Sequence, residues 1–299
     1  MNIGSLLPRH ARYRGKHDAF VIGQKRLNFR ELNSRVNLVA NALLLAGIRK
    51  GQKMATVLPN CEELMLLYWA AAKTGIVIVP SSPLLQDSGL TTILSDSDTE
   101  IVFADVSFTK MIEKIQKKLP EIKNENWILV GENNDGCVFT RWTDFIYGLS
   151  SEEPPDANIV DEDVYNIMYS SGTTGAPKGI VHTHYVRANY CTQFASAWRM
   201  SPESIVLHAG AIVFNGAMLG LMPWMYLGAT YILHKKFDPA EVLKTIHQEK
   251  VTHIVMVPSQ IVALLNHPYF DAKKLSSLEM LQSVGAPLLL EYKQKLNEN

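Results

Sequence analysis

The residues best suited to chemistry fall in one eleven-residue stretch, Tyr169-Ser170-Ser171-Gly172-Thr173-Thr174-Gly175-Ala176-Pro177-Lys178-Gly179. It holds four Ser/Thr hydroxyls, three glycines and one lysine. Glycine lets backbone amides approach an anion closely and takes positive φ without steric cost. Successive amides in such a turn form an anion-binding concavity. The hydroxyls add donors and Lys178 adds a mobile positive charge, a combination that suits a polyphosphate. The stretch is not GxxxxGK[ST], because the order is Pro-Lys-Gly and no helix starts at the lysine, and it is not GxGxxG. An ordinary polar turn is the plain alternative, but a turn needs two or three such residues, and here there are eight.

Other positions carry weaker signals. His208, Phe214 and Asn215 lie in an apolar stretch, where a satisfied buried histidine and a core aromatic are serious rivals to any role in binding. Gly285-Ala286-Pro287 reads on its own as a strand-to-helix turn. His182 and His184 flank a strand end, but with no third ligand in view they read as packing positions rather than a metal site. Cys61, Cys137 and Cys191 are far apart and form neither CxxC nor a Cys/His cluster. A reducing cytosol is the simplest reading of them, so the expected location is cytoplasmic.

The elements that must position these residues alternate. Leu32, Val36, Val39 and Leu43 make one apolar stripe on a helix expected over 28–46, with Asn28 and Glu31 spaced as a capping box and Gly47 as its stop. Strand 54–58, helix 62–74 and strand 76–79 follow as a βαβ unit with short connections, which implies a parallel pair. Strands are expected at 100–104, 127–130, 164–169, 179–181, 252–257 and 280–284. Helices are expected at 90–95, 108–119, 185–198, 239–249 and 259–265, with a last one from Leu288. This rhythm predicts an α/β fold of layered, parallel-rich sheets with helices on both faces, and ligands at the carboxyl ends of the strands. Acidic SSEEPPDAN (150–158) is the best linker candidate, although such a stretch more often marks a surface crossing within one domain than a true boundary. The expected division is a first α/β subdomain over 1–149, a linker over 150–163, and a second subdomain over 164–299 that bears the phosphate loop.

Composition narrows the function. The chain has 299 residues, 29 Lys+Arg against 29 Asp+Glu, and 47% apolar residues. Zero net charge excludes a protein built chiefly to bind nucleic acid, and the apolar content excludes a disordered tail protein. The first sixteen residues lack the apolar core of a signal peptide. From Ile205 to Leu233 no Asp, Glu, Lys or Arg occurs over 29 residues, long enough to cross a bilayer. Glycines, Pro223 and Asn215 interrupt it, so it reads as a buried strand-helix-strand unit and not as an integral membrane segment.

SSGTTGAPKG, entered by an apolar strand and followed by IVHTH, resembles the signature of the acyl-adenylate-forming superfamily, which includes acyl-CoA synthetases, adenylation domains of peptide synthetases, and luciferases. Gly51 to Pro80, Leu221 to Leu233, Lys250 to Leu265 and SVGAPL (Ser283 to Leu288) resemble further segments in family order, so the resemblance covers essentially the whole chain. It implies the large N-terminal domain of the adenylate-forming fold. It implies an acyl-CoA ligase that uses ATP, Mg²⁺ and CoA to activate a small-molecule carboxylic acid, in the province of fatty acid metabolism. By the resemblance, Ser170, Ser171, Gly172, Thr173, Thr174 and Gly175 cradle the phosphates. Lys178 follows the departing pyrophosphate, so that Thr173, Thr174 and Lys178 carry the catalysis. Gly285, Ala286 and Pro287 press on adenine, and His208, Phe214 and Asn215 line the acid pocket. No protein ligand to the metal is identified.

The family's histidine near 213–215 is absent here, as is the aspartate with which carrier-loading domains meet an amino group. Gly-x-Thr-Glu occurs nowhere in the sequence, nor does the later lysine domain. The expectation is therefore a truncated N-terminal domain that is inactive alone. Its open sheet edge favours association, a homodimer included. A carrier-protein-loading domain and a non-catalytic nucleotide- or acyl-binding fragment are the alternatives.

Overall fold

A computed structural model describes residues 1–132, 139–170 and 177–297. The chain runs through α1 (Leu6–Tyr13), β1 (Asp18–Ile22), β2 (Lys25–Asn28), α2 (Phe29–Leu45), β3 (Lys53–Val57), α3 (Glu62–Thr74), β4 (Val77–Pro80), α4 (Asp87–Asp96), β5 (Thr99–Asp105), α5 (Thr109–Gln116), β6 (Trp127–Val130), β7 (Thr140–Arg141) and α6 (Trp142–Phe145). It continues with β8 (Val164–Ser170), β9 (Lys178–Thr183), α7 (His184–Ala197), β10 (Ile205–His208), α8 (Met218–Leu227), β11 (Thr230–Leu233), α9 (Pro239–Glu249), β12 (His253–Met256), α10 (Pro258–Leu265), β13 (Met280–Ser283) and α11 (Leu290–Asn297). These elements form two compact units. The first comprises 1–13 and 30–188, the second 14–29 and the chain from Asn189 onward.

The first unit is built on a seven-stranded sheet in the order β7-β6-β5-β3-β4-β8-β9. Every pair in it is parallel except β8 with β9. β4 is buried at every position and β3 at all but its first, which explains why these strands read as unbroken apolar runs. α3 is apolar almost all round and is buried accordingly. Its N-cap is the Cys61 sulfur, which accepts from Leu64 N–H, and its end is set by Gly75 at φ +70°. A 3-10 turn over Ile3–Ser5 lies so close to α3 that a Cβ on Gly4 would sit 2.1 Å from the Ala72 carbonyl oxygen.

The second unit holds a six-stranded sheet, β13-β12-β10-β11-β1-β2, parallel except for the β1·β2 hairpin. β11 and β12 are fully buried, and so is β10 beyond its first residue. Their core is Leu207, Ile232, Ile254 and Met256 packed with Val242, Ile246, Ile261 and Leu264 of α9 and α10. The uncharged stretch 205–233 is β10, α8 and β11, as expected. Among the described residues no helix is long and apolar enough to cross a membrane.

Two features depart from the sequence reading. β1 and β2 were not anticipated; a two-residue turn joins them, with Gly23 at φ +57° in its first position. The divisions between compact units fall after Tyr13, Phe29 and Ala188, not at 150–163. The acidic stretch is instead tied into the first unit. Asn37 Nδ2 donates to the Ser151 carbonyl, Asn41 Nδ2 to those of Ser150 and Glu152, and Lys50 Nζ to that of Asn158. Lys73 Nζ, its side chain only 4% exposed, reaches Glu153 Oε2 at 2.6 Å and the Oδ1 atoms of Asn33 and Asn37 at 2.7 and 2.6 Å. Burial pulls the Lys73 ammonium below its ordinary range, while Glu153 acts to raise it.

Candidate active site

In the first unit the candidate site grows from the β8·β9 hairpin. The strands pair antiparallel, and Ser170 stands opposite Lys178. These two exposed residues are the ends from which the hydroxyl-and-glycine sequence springs. Ser171, Gly172, Thr173, Thr174 and Gly175 lie outside the described residues. Side chains leave no room beside Gly179, where a Cβ would meet Ile167 Cγ2 at 2.9 Å and the Tyr169 ring at 3.0 Å. Tyr169 donates its hydroxyl to Asp96 Oδ2, and burial together with this carboxylate holds its pKa above the usual phenol range. Beneath the hairpin, Arg187 of α7 is fully buried and donates from Nε to Asn166 Oδ1 at 2.9 Å.

His182 and His184 close β9 and open α7. Burial, with the Arg187 charge adding to it, pushes His182 down to about 4. Burial alone dominates at His184, also pushed to about 4, whose ring meets Tyr165 edge-on at 5.6 Å. Both nitrogens of His184 lack a hydrogen-bond partner among the described residues.

In the second unit the sheet order reverses at β10, which has β11 on one side and β12 on the other. The crevice beyond the carboxyl ends at such a reversal is where open α/β sheets take ligands. His208 ends β10 there. It is 6% exposed, stacks on Tyr231 at 6.3 Å, and is pushed down to about 4 by burial. Phe214, by contrast, is 53% exposed, so it is not core filler. Asn215 opens a 3-10 turn before α8 and donates to the Tyr190 hydroxyl at 3.4 Å. At the end of β13, Gly285 takes φ +86° and with Ala286 and Pro287 forms an exposed turn. A Cβ on Gly285 would lie 3.6 Å from Val257 Cγ1, and one on Gly216 would lie 3.5 Å from Val284 Cγ2. The Phe214–Gly216 loop, the start of α10 and the Gly-Ala-Pro turn are therefore neighbours. Gly210 and Gln260, beside His208, escaped the sequence reading. A lone glycine and glutamine have no distinctive spacing, and only the fold brings them to the same strand ends.

A seven-stranded and a six-stranded parallel-rich sheet flanked by helices, with the β8·β9 hairpin on one and a strand-order reversal on the other, define the N-terminal domain of the adenylate-forming fold. The chain belongs to the AMP-binding enzyme family, which it matches over residues 7–299. It is 30% identical to a feruloyl-CoA synthase of Amycolatopsis sp over 96% of its own length and 55% of that protein's. It is 28% identical to a long-chain-fatty-acid–CoA ligase of Bacillus subtilis (strain 168), covering 92% of this chain and 53% of the relative. The crystal structure of the anthranilate CoA ligase AuaEII in complex with anthranoyl-AMP superposes over all of this chain and 57% of its own, with a TM-score of 0.92 at 24% identity. The chain spans about half the length of the curated relatives it matches.

Proposed function

We propose that this chain supplies the nucleotide- and acid-binding part of an ATP-dependent acyl-CoA ligase. In the first half-reaction a carboxylate oxygen attacks the α-phosphorus of ATP. An O–P bond forms, the bond to the β-phosphate oxygen breaks, and pyrophosphate leaves with the electron pair. In the second, the CoA sulfur attacks the acyl carbon, losing its proton to solvent, and AMP leaves. Such displacements need positioning and charge stabilisation more than acid–base work. In this reading Ser170 and Lys178 stand at the base of the phosphate cradle formed with Ser171 to Gly175. The Lys178 ammonium, on an exposed edge strand, follows the charge that builds on pyrophosphate. Gly285, Ala286 and Pro287 present backbone to adenine, and His208, Phe214 and Asn215 border the acid. Among the described residues no three His, Cys, Asp or Glu side chains are grouped to hold a metal. In this reading Mg²⁺ is the counter-ion that the nucleotide brings.

The observation that carries the reading is the Ser170–Lys178 pairing, which fixes both ends of the polyphosphate-type sequence on one hairpin, within a chain of AMP-binding lineage. Acid-dependent exchange of labelled pyrophosphate into ATP, run on the whole protein that carries this chain, tests it. Replacing Thr173 and Thr174 by valine keeps their shape and removes both hydroxyls. Losing one such donor costs on the order of a hundredfold in rate, so exchange should fall at least that far. Exchange unchanged in the double variant would remove the loop from the mechanism.

A further inference from the structure

A full positive charge lies beneath the β8·β9 hairpin. Arg187 of α7 is fully buried, and a guanidinium keeps its proton in proteins. It reaches two residues of β8. Its Nε donates to Asn166 Oδ1 at 2.9 Å, and a terminal nitrogen lies 3.7 Å from Met168 Sδ. Alternate residues of a strand share a face, so Asn166, Met168 and Ser170 lie on one side of β8. Their cross-strand partners on β9 are His182, Ile180 and Lys178. Along this face Asn166 and Met168 are buried, whereas Ser170 and Lys178 are exposed. The outer end of the guanidinium therefore lies nearer than its Nε to the last pair, Ser170 with Lys178.

Two residues of strand span about 7 Å. A unit charge about 10 Å from another, at an effective dielectric of about 20, changes a binding constant by about tenfold. The charge is already felt on β9, where it adds to burial in pushing His182 down. Asn166 holds it in place. That side chain is itself fully buried, and its Nδ2 has no hydrogen-bond partner among the described residues. Among those residues, the polar contact of the amide is with Arg187.

We propose that Arg187 is a positioning residue of the nucleotide site, whose buried charge, held by Asn166, draws the outer phosphates of ATP to the Ser170–Lys178 end of the hairpin without touching them. The inference rests on the ligase reading for its ligand, and it adds an attraction that comes from behind the site. Lys178 is exposed and can follow the departing pyrophosphate, whereas Arg187 is fixed. At about 10 Å it senses the total charge of the nucleotide, which the displacement does not alter. An interaction equal in ground and transition states changes KM and leaves kcat.

The test uses the whole protein that carries this chain. Arg187→Met removes the charge and keeps most of the bulk. Asn166→Asp keeps the guanidinium and cancels its charge with a carboxylate of the amide's shape. It also replaces the unpartnered Nδ2 by an acceptor facing a cation, so it should fold even if Arg187→Met does not. Calorimetry with Mg²⁺-free ATP, ADP and AMP reads the affinities. In each folded variant ATP should weaken by about tenfold and ADP by less. AMP, which lacks the outer phosphates, should weaken by less than about threefold. In pyrophosphate exchange the KM for ATP should rise about tenfold, with kcat within about twofold. A residue that merely holds the fold would weaken all three nucleotides equally or none, and Asn166→Asp would then bind ATP as the parent does. Either result, with exchange intact in the parent, overturns this inference alone. Graded losses in a protein that exchanges pyrophosphate with no acid uphold it and overturn the ligase reading.

Discussion

Ser170 and Lys178 are cross-strand partners in the last pair of the β8·β9 hairpin, where β8 ends and β9 begins. The hairpin is the only antiparallel pair of its described sheet, and it holds the two flanks of the hydroxyl-rich sequence together. The Ile167 and Tyr169 side chains crowd the face of Gly179. Gly179→Val should force Ile167 and Tyr169 aside, at a cost of about 1–3 kcal/mol, the usual range for overpacking. Urea unfolding measures the loss. Pyrophosphate exchange in the same variant should fall further than unfolding explains, because the flanks of the cradle shift.

Glu153→Ala should destabilise more than Lys73→Met. The first leaves a buried ammonium without its counter-charge, at a cost of about 3 kcal/mol or more. The second leaves a carboxylate whose side chain is 48% exposed and can rehydrate, so the loss should be nearer to about 1 kcal/mol. Urea midpoints at constant m compare them, and the reverse order would show that the 150–158 stretch is held by its backbone contacts instead.

Gly4→Ala should be among the most damaging single changes in the first unit. The added carbon would overlap the Ala72 carbonyl, a backbone atom with little freedom to move. The expected loss is at the upper end of about 1–3 kcal/mol, read by thermal unfolding. A neutral substitution would mean that the Ile3–Ser5 turn does not rest on α3.

Three histidines give a pH dependence with a definite sign. His182, His184 and His208 are each pushed by burial from 6.5 to about 4. The unfolded chain therefore binds protons between pH 6.5 and 4 that the folded chain refuses, and stability falls as pH drops through that window. At pH 5 each contributes a loss on the order of 2 kcal/mol relative to pH 7. Denaturant titrations at both pH values measure the sum, and His184→Phe should reduce it by about a third. A pH 5 stability equal to that at pH 7 would contradict the burial of these rings.

Much of this was legible in the sequence because the informative signals were local. α3, β6 and α9 fall at the expected residues: the αL glycine Gly75 stops α3, and Asp238 caps α9 by accepting from Glu241 N–H. β1 and β2 escaped because Asp18–Ile22 is short and its partner β11 lies more than 200 residues on in the chain. The unit boundaries escaped for the same reason, since a hairpin near the N-terminus joins a sheet made from the other end. The acidic prolines at 150–158 looked like a linker. What anchors them is amides from α2, the Lys73 ammonium of α3 and the Lys50 ammonium ahead of β3, and no local pattern announces such contacts. At the site, the Ser170–Lys178 loop was visible because composition alone marks it. Gly210 and Gln260 were not, because their meaning lies in which strand ends they share.

The central claim is that a carboxylate is activated by bonding directly to the α-phosphorus of ATP. A carboxylic acid labelled with ¹⁸O in both carboxylate oxygens, incubated with ATP, CoA and the protein carrying this chain, tests it at the atom concerned. If an acyl-adenylate forms and the CoA sulfur then displaces AMP, one labelled oxygen stays on phosphorus. Mass spectrometry should find AMP carrying a single ¹⁸O and pyrophosphate carrying none. Label in inorganic phosphate with ADP as the nucleotide product, or thioester formed with unlabelled AMP, would contradict the account.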